Sequence, residues 1–128
     1  VDAVVGALIG RGAGLTPSGD DLVLGAVAAE HAFGASWGLE PRVSAALDQL
    51  DLSGRTTRPS IALLTSALAG RYPPSLVALI KAISSPTDIA AAVRRVSNIG
   101  QTTGPSILAG ISAIARHQLN SRQGTTPP

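Results

Sequence analysis

The sequence predicts an all-α fold, a compact bundle of about six to seven helices, on three observations. Apolar residues recur at helical spacing in one segment after another, and Gly and Pro clusters separate the segments. Hydrophobic residues make up 45% of the chain, Ala supplying many of them, while aromatics are only 2%. Elements packed through such small side chains must approach closely, which suits helices better than a β-sandwich, whose strands favour aromatic and β-branched residues. Finally, 128 residues is the size of one domain, so one core and one main site are expected. We place a single helical domain at residues 1–119 and a polar, non-periodic, disordered tail at 120–128.

Val4, Val5, Leu8 and Ile9 mark a short opening helix that stops at Gly10, where the Gly-rich stretch to Gly14 begins. From Gly19 to about Phe33 apolar residues cover nearly every face, the mark of a buried central helix. Gly34, Gly38 and Pro41 break the chain, and Val43, Ala46, Leu47 and Leu50 outline a third helix. Ser53 to Pro59 is a polar loop; Ile61, Leu64 and Leu68 then form a helix ending at Gly70. Pro73 and Pro74 start the next, carrying Leu76, Leu79, Ile80 and Ile83. Pro86 begins another, with Ile89, Ala92, Val93 and Val96 on its apolar face, and Ile107 to about His117 is the last.

Composition excludes several functions. The formal charge is +2, but only 14% of residues are charged and the Arg residues are scattered, so nucleic acid is not the expected partner. Phe33, Trp37 and Tyr72 are too few and too far apart to stack bases. The absence of Cys removes disulfides, thiolate metal sites and a Cys nucleophile. His31 and His117 are the only imidazoles, so we expect no metal and no cofactor. His31 is expected at a packed edge, and His117 is expected to offset the dipole at the end of the last helix. No apolar run approaches the roughly 18 residues of a membrane span, and no signal-peptide pattern opens the chain, so the expected location is cytoplasmic. Without Met, and starting at Val1 inside a helical pattern, the sequence reads as a fragment or as lacking its natural start.

A polar, Thr-containing segment leads straight into an apolar helix three times: Leu15 to Leu22, Thr56 to Ile61, and Thr102 to Ile107. Their spacing of about 41 to 46 residues can signal a solenoid. The helices between differ in number and pattern, so a bundle that brings the three loops to one end is the better reading. The first amides of a helix lack intrahelical acceptors and sit at the positive end of its dipole, so an anion can satisfy both. Gly14 and Gly19 would let backbone approach a ligand, and Thr16 and Ser18 would add hydroxyls. Ordinary capping is the alternative, since Ser18 and Asp21 have the spacing of a capping box. Asp20 and Asp21 would accept from an amide or ammonium group of the same ligand, Asp20 being the first candidate. Arg55 or Arg58 could clamp its carboxylate or phosphate, or be solvated surface. Thr56, Thr57, Thr102, Thr103 and Gly104 complete the candidate set, with helix capping as their alternative. No Ser–His–Asp motif and no P-loop Lys is present, so a hydrolase triad and Walker-type ATP binding are not expected.

The run Gly12-Ala13-Gly14-Leu15-Thr16-Pro17-Ser18-Gly19-Asp20-Asp21 with Gly25, then Arg55-Thr56-Thr57 with Ser60, then Gly100-Gln101-Thr102-Thr103-Gly104 with Gly110, resembles the oxamate carbamoyltransferase subunit (AllH-like) family. The resemblance covers about Val4 to Ala115, the C-terminal helical part of a pattern about twice as long. The family pattern has His, Thr or Ser, and Asp where Gln101, Thr103 and Ser106 stand. The resemblance implies a subunit of a multi-protein transferase of anaerobic allantoin (purine) breakdown. That transferase exchanges a carbamoyl group between oxalurate or oxamate and phosphate, and its other subunits are separate chains. Asp20, Asp21 and Arg55 would then act in catalysis, by positioning and electrostatics without a covalent nucleophile. Gly14, Thr16, Ser18, Gly19, Thr56, Thr57, Arg58, Thr102, Thr103 and Gly104 would bind the small anionic metabolite. The alternative is a non-catalytic anion-binding or assembly module of a multi-subunit complex, whose exposed apolar faces also favour self-association.

Overall fold

The computed structural model describes residues 2–12, 14–34, 37–49, 54–85 and 88–124. Among them are seven helices and no strand: α1 (Asp2–Leu8), α2 (Ser18–Ala32), α3 (Leu39–Gln49), α4 (Arg58–Leu68), α5 (Pro74–Ser84), α6 (Ile89–Ser97) and α7 (Thr103–Gly124). The all-α expectation holds. None of these helices is long and apolar enough to cross a membrane.

Helix α2 is apolar on nearly every side because every side is covered. It packs most extensively on α7, then on α4, α5, α1 and α3, and buries Val23, Leu24, Val27, Ala28 and Ala29. Leu64 of α4, Leu76 and Leu79 of α5, Val96 of α6 and Ile107 of α7 close the core around it. With so few aromatics, density comes from short backbone separation. A Cβ built on Gly25 would lie 2.0 Å from the Ile107 carbonyl oxygen, and one on Gly110 would lie 2.1 Å from that of Leu22. Only glycine lets α2 and α7 touch there.

Three boundaries differ from expectation. Pro41 does not break the chain but sits in the first turn of α3, where its missing N–H costs nothing. The third Thr segment is not a loop: α7 begins at Thr103 and carries Gly104 and Pro105 in its first turn, for the same reason. Helix α7 also runs to Gly124, past the expected end near His117 and through part of the expected tail. Adding residues to an existing helix needs no new nucleus, and no breaker intervenes. The expected helix start at Pro86, with Thr87, lies outside the described residues, as do Leu50 and residues 125–128; α6 is capped by Asp88, whose carboxylate accepts from the Ala91 amide at 3.2 Å.

A polar junction ties the C-terminal end of α2 to its neighbours. Glu30 accepts from the amides of Trp37 and Leu39 at 2.9 and 3.2 Å. His31 pairs through Nδ1 with the Tyr72 hydroxyl and through Nε2 with Glu40. Burial, then the carboxylates of Glu40 and Glu30, push the Tyr72 hydroxyl above its usual range, so it keeps its proton. His31 thus sits at a packed edge, as expected. His117 does not lie in the last turn of α7; its ring packs edge-on against Trp37, with centroids 5.4 Å apart.

Candidate functional site

Asp20 and Asp21 lie in the first turn of α2, where the helix dipole favours negative charge, yet they are only 2% and 1% exposed. Buried carboxylates need partners. Asp20 has them on both oxygens: Oδ1 accepts from the Gly10 amide at 2.6 Å, and Oδ2 accepts from the Thr56 hydroxyl. It latches the Gly-rich turn after α1 and the segment before α4 onto α2. Asp21 faces the third segment. The Thr16 hydroxyl donates to its Oδ2 at 3.1 Å and lies 2.8 Å from the Thr103 hydroxyl. The Thr57 hydroxyl donates to the Leu15 carbonyl and accepts from the Ser60 amide at 3.2 Å, capping α4. Thr16, Thr56 and Thr103, from three parts of the sequence, therefore meet at the two carboxylates, and Thr57 ties the first segment to the second beside them.

Burial raises the Asp21 carboxyl from 3.8 to about 6; the neighbouring Asp20 charge adds to the rise, and hydrogen bonds from Thr16 and Thr103 oppose it. A carboxyl that ionises later in the folded chain than in the unfolded one contributes stability that is full below about 4 and lost as pH rises through about 6. Asp21→Asn should therefore unfold at higher urea concentration than the parent at pH 8, with the gap narrowing as pH falls through about 6 and closing only below about 4. A gap independent of pH would contradict the assignment.

The other expected residues are placed differently. The capping box does not form: Pro17 is the N-cap of α2, with no side-chain cap bond, and Ser18 is the first helical residue. Several first-turn amides expected to face an anion already have acceptors. Gly19 N–H donates to Arg11 O at 2.9 Å, Asp20 N–H to Pro17 O at 3.0 Å and Gly104 N–H to Ile99 O at 2.8 Å. Gly19 and Gly104 make close backbone approaches to protein: a Cβ there would lie 1.9 Å from Leu8 O and 2.0 Å from Val96 O. Gly14 alone of these three faces open space. Arg55 does not reach the carboxylates; its Nη2 donates to Gly6 O and Ile9 O at 2.6 and 3.3 Å, closing the end of α1. Arg58 is exposed at the first position of α4, and Thr102 is exposed just before α7.

Two residues join the site that sequence reasoning had not assigned a role. Gly10 contributes its amide to Asp20. Ser60, fully buried at the third position of α4, lies on the stripe Ser60, Leu64 and Ala67; a polar residue in line with a core stripe was the available signal. Among the described residues no three His, Asp or Glu side chains converge to hold a metal ion.

No solved structure matches the chain. A family profile described as oxamate carbamoyltransferase subunit AllH matches residues 8–115, a span that contains the carboxylate pair and all the threonines around it. The chain belongs to the oxamate carbamoyltransferase subunit AllH family.

Proposed function

We propose that the chain is a subunit of an oxamate carbamoyltransferase, working with separate partner subunits, and that the meeting point of the α2, α4 and α7 N-termini is its contribution to binding and transfer. The observation that carries this is the pair of adjacent buried carboxylates surrounded by hydroxyls from three segments. Oxamate, oxalurate and carbamoyl phosphate are small anions with amide groups. Their N–H groups suit carboxylate acceptors, while exposed Arg58 and the positive helix ends suit their anionic end.

In carbamoyl transfer from oxalurate, a phosphate oxygen attacks the carbamoyl carbon, the C–N bond to the oxamate nitrogen breaks, and that nitrogen must take a proton. In this reading Asp21, protonated up to about pH 6, supplies it: the protonated carboxyl donates to the Thr16 hydroxyl, reversing the bond it accepts when ionised, and Thr16 passes the proton on through Thr103. Asp20 is the positioning residue, because its oxygens are engaged. This reverses the order in which the sequence ranked the two.

The test is calorimetric titration with oxamate, oxalurate, phosphate and carbamoyl phosphate, repeated on Thr103→Val, which keeps shape and removes the hydroxyl. We expect binding of at least one, weakened about tenfold in the variant. Absence of heat with all four, or equal affinity in both proteins, would reject the reading. A second reading, an assembly module, is favoured by one observation: an apolar groove of about 480 Å³ between α5, α6 and α7, lined by Leu79, Ile83, Val93, Leu108 and Ile111.

A further inference from the structure

Ser60 is 1% exposed, and its hydroxyl has no hydrogen-bond partner among the described residues, although its amide is satisfied by Thr57. A buried hydroxyl left unpaired costs stability that Ala at the same place would not. Its position ties it to the carboxylates. Asp20 meets Thr56 at one end and His31 meets Tyr72 at the other, so α2 and α4 lie side by side in the same direction. Ser60 follows Thr56, the Asp20 partner, by four residues and lies on the buried stripe of α4, the helix that packs on α2.

We propose that Ser60 is a ligand-binding residue of this site, its hydroxyl donating to a carboxylate or carbonyl oxygen of a small amide-bearing anion. The inference rests on the site reading above. Both Asp20 oxygens are engaged, so the partner the hydroxyl lacks comes from the ligand. A ligand N–H can take the place of the Thr56 hydroxyl on Asp20 while a ligand oxygen accepts from Ser60. The unpaired hydroxyl is then a stability cost kept for binding, the usual trade at functional sites.

The experiment is calorimetric titration of the parent chain and Ser60→Ala with oxamate, with the melting temperature of each. The expected result is that Ser60→Ala melts at the same temperature or a few degrees higher and binds oxamate about tenfold more weakly. Equal affinity in both proteins would overturn the Ser60 assignment while leaving the site reading intact. A lower melting temperature in Ser60→Ala would overturn it too, since the hydroxyl would then have a structural partner. Absence of oxamate binding by the parent would overturn the Ser60 assignment, and absence of binding with oxalurate, phosphate and carbamoyl phosphate as well would overturn both.

Discussion

Gly25→Ala is expected to lower stability by about 3 kcal/mol or more, a large share of a typical domain's total. The added methyl would lie 2.0 Å from the Ile107 carbonyl oxygen and 2.9 Å from its carbon, and both belong to the backbone of α7 rather than to a side chain that could rotate away. The helices would have to part, loosening the contacts of Leu24, Val27, Ile107 and Ile111 together. Helix propensity favours Ala over Gly by about 1 kcal/mol, which offsets only part of this. Gly34→Ala is the control: it faces open space, and its φ of +61° predicts a cost of only about 1 kcal/mol. Urea denaturation checks the pair. A Gly25→Ala cost no larger than that of Gly34→Ala would mean that α2 and α7 are not in backbone contact.

Asp20→Ala is the second large effect, about 2–4 kcal/mol. It removes the acceptor of the half-buried Gly10 amide and of the Thr56 hydroxyl at once, so both donors lose their partners. The Gly-rich turn and the segment before α4 would loosen from α2 together, which amide exchange at Gly10 would show as lost protection. Thr56→Val removes one of the two bonds and should cost about 1 kcal/mol. A cost for Asp20→Ala near that of Thr56→Val would place the weight on the hydroxyl rather than on the double latch. Because Asp20 holds the loops, its removal is a poor probe of ligand chemistry. Thr103→Val and Ser60→Ala are cleaner.

Much of the fold was legible, because the same residues served local and tertiary needs. The all-round apolarity of Gly19 to Phe33 reads directly as a helix covered on every side. The ends were harder. Pro41, and Gly104 with Pro105, read as breaks, whereas a helix tolerates Pro in its first turn, and Gly104 is needed where α7 passes the Val96 carbonyl. The gathering of Thr16, Thr56, Thr57 and Thr103 at one end was readable as a consequence of repeated polar segments in a bundle. The division of labour inside the cluster was not. Which Asp is fully engaged depends on Gly10 and Thr56, and Arg55 is spent on the Gly6 and Ile9 carbonyls in and just after α1, 49 and 46 residues away along the chain. Local pattern carries no information about such contacts.

The most direct test of the central claim, that the N-termini of α2, α4 and α7 form one ligand site, is a two-dimensional amide NMR titration with oxamate and with carbamoyl phosphate. The account predicts shifts concentrated at Gly10, Thr16, Asp21, Thr56, Ser60 and Thr103, three distant stretches of sequence responding with one affinity. Shifts confined to the α5, α6 and α7 groove, or none at saturating ligand, would contradict it.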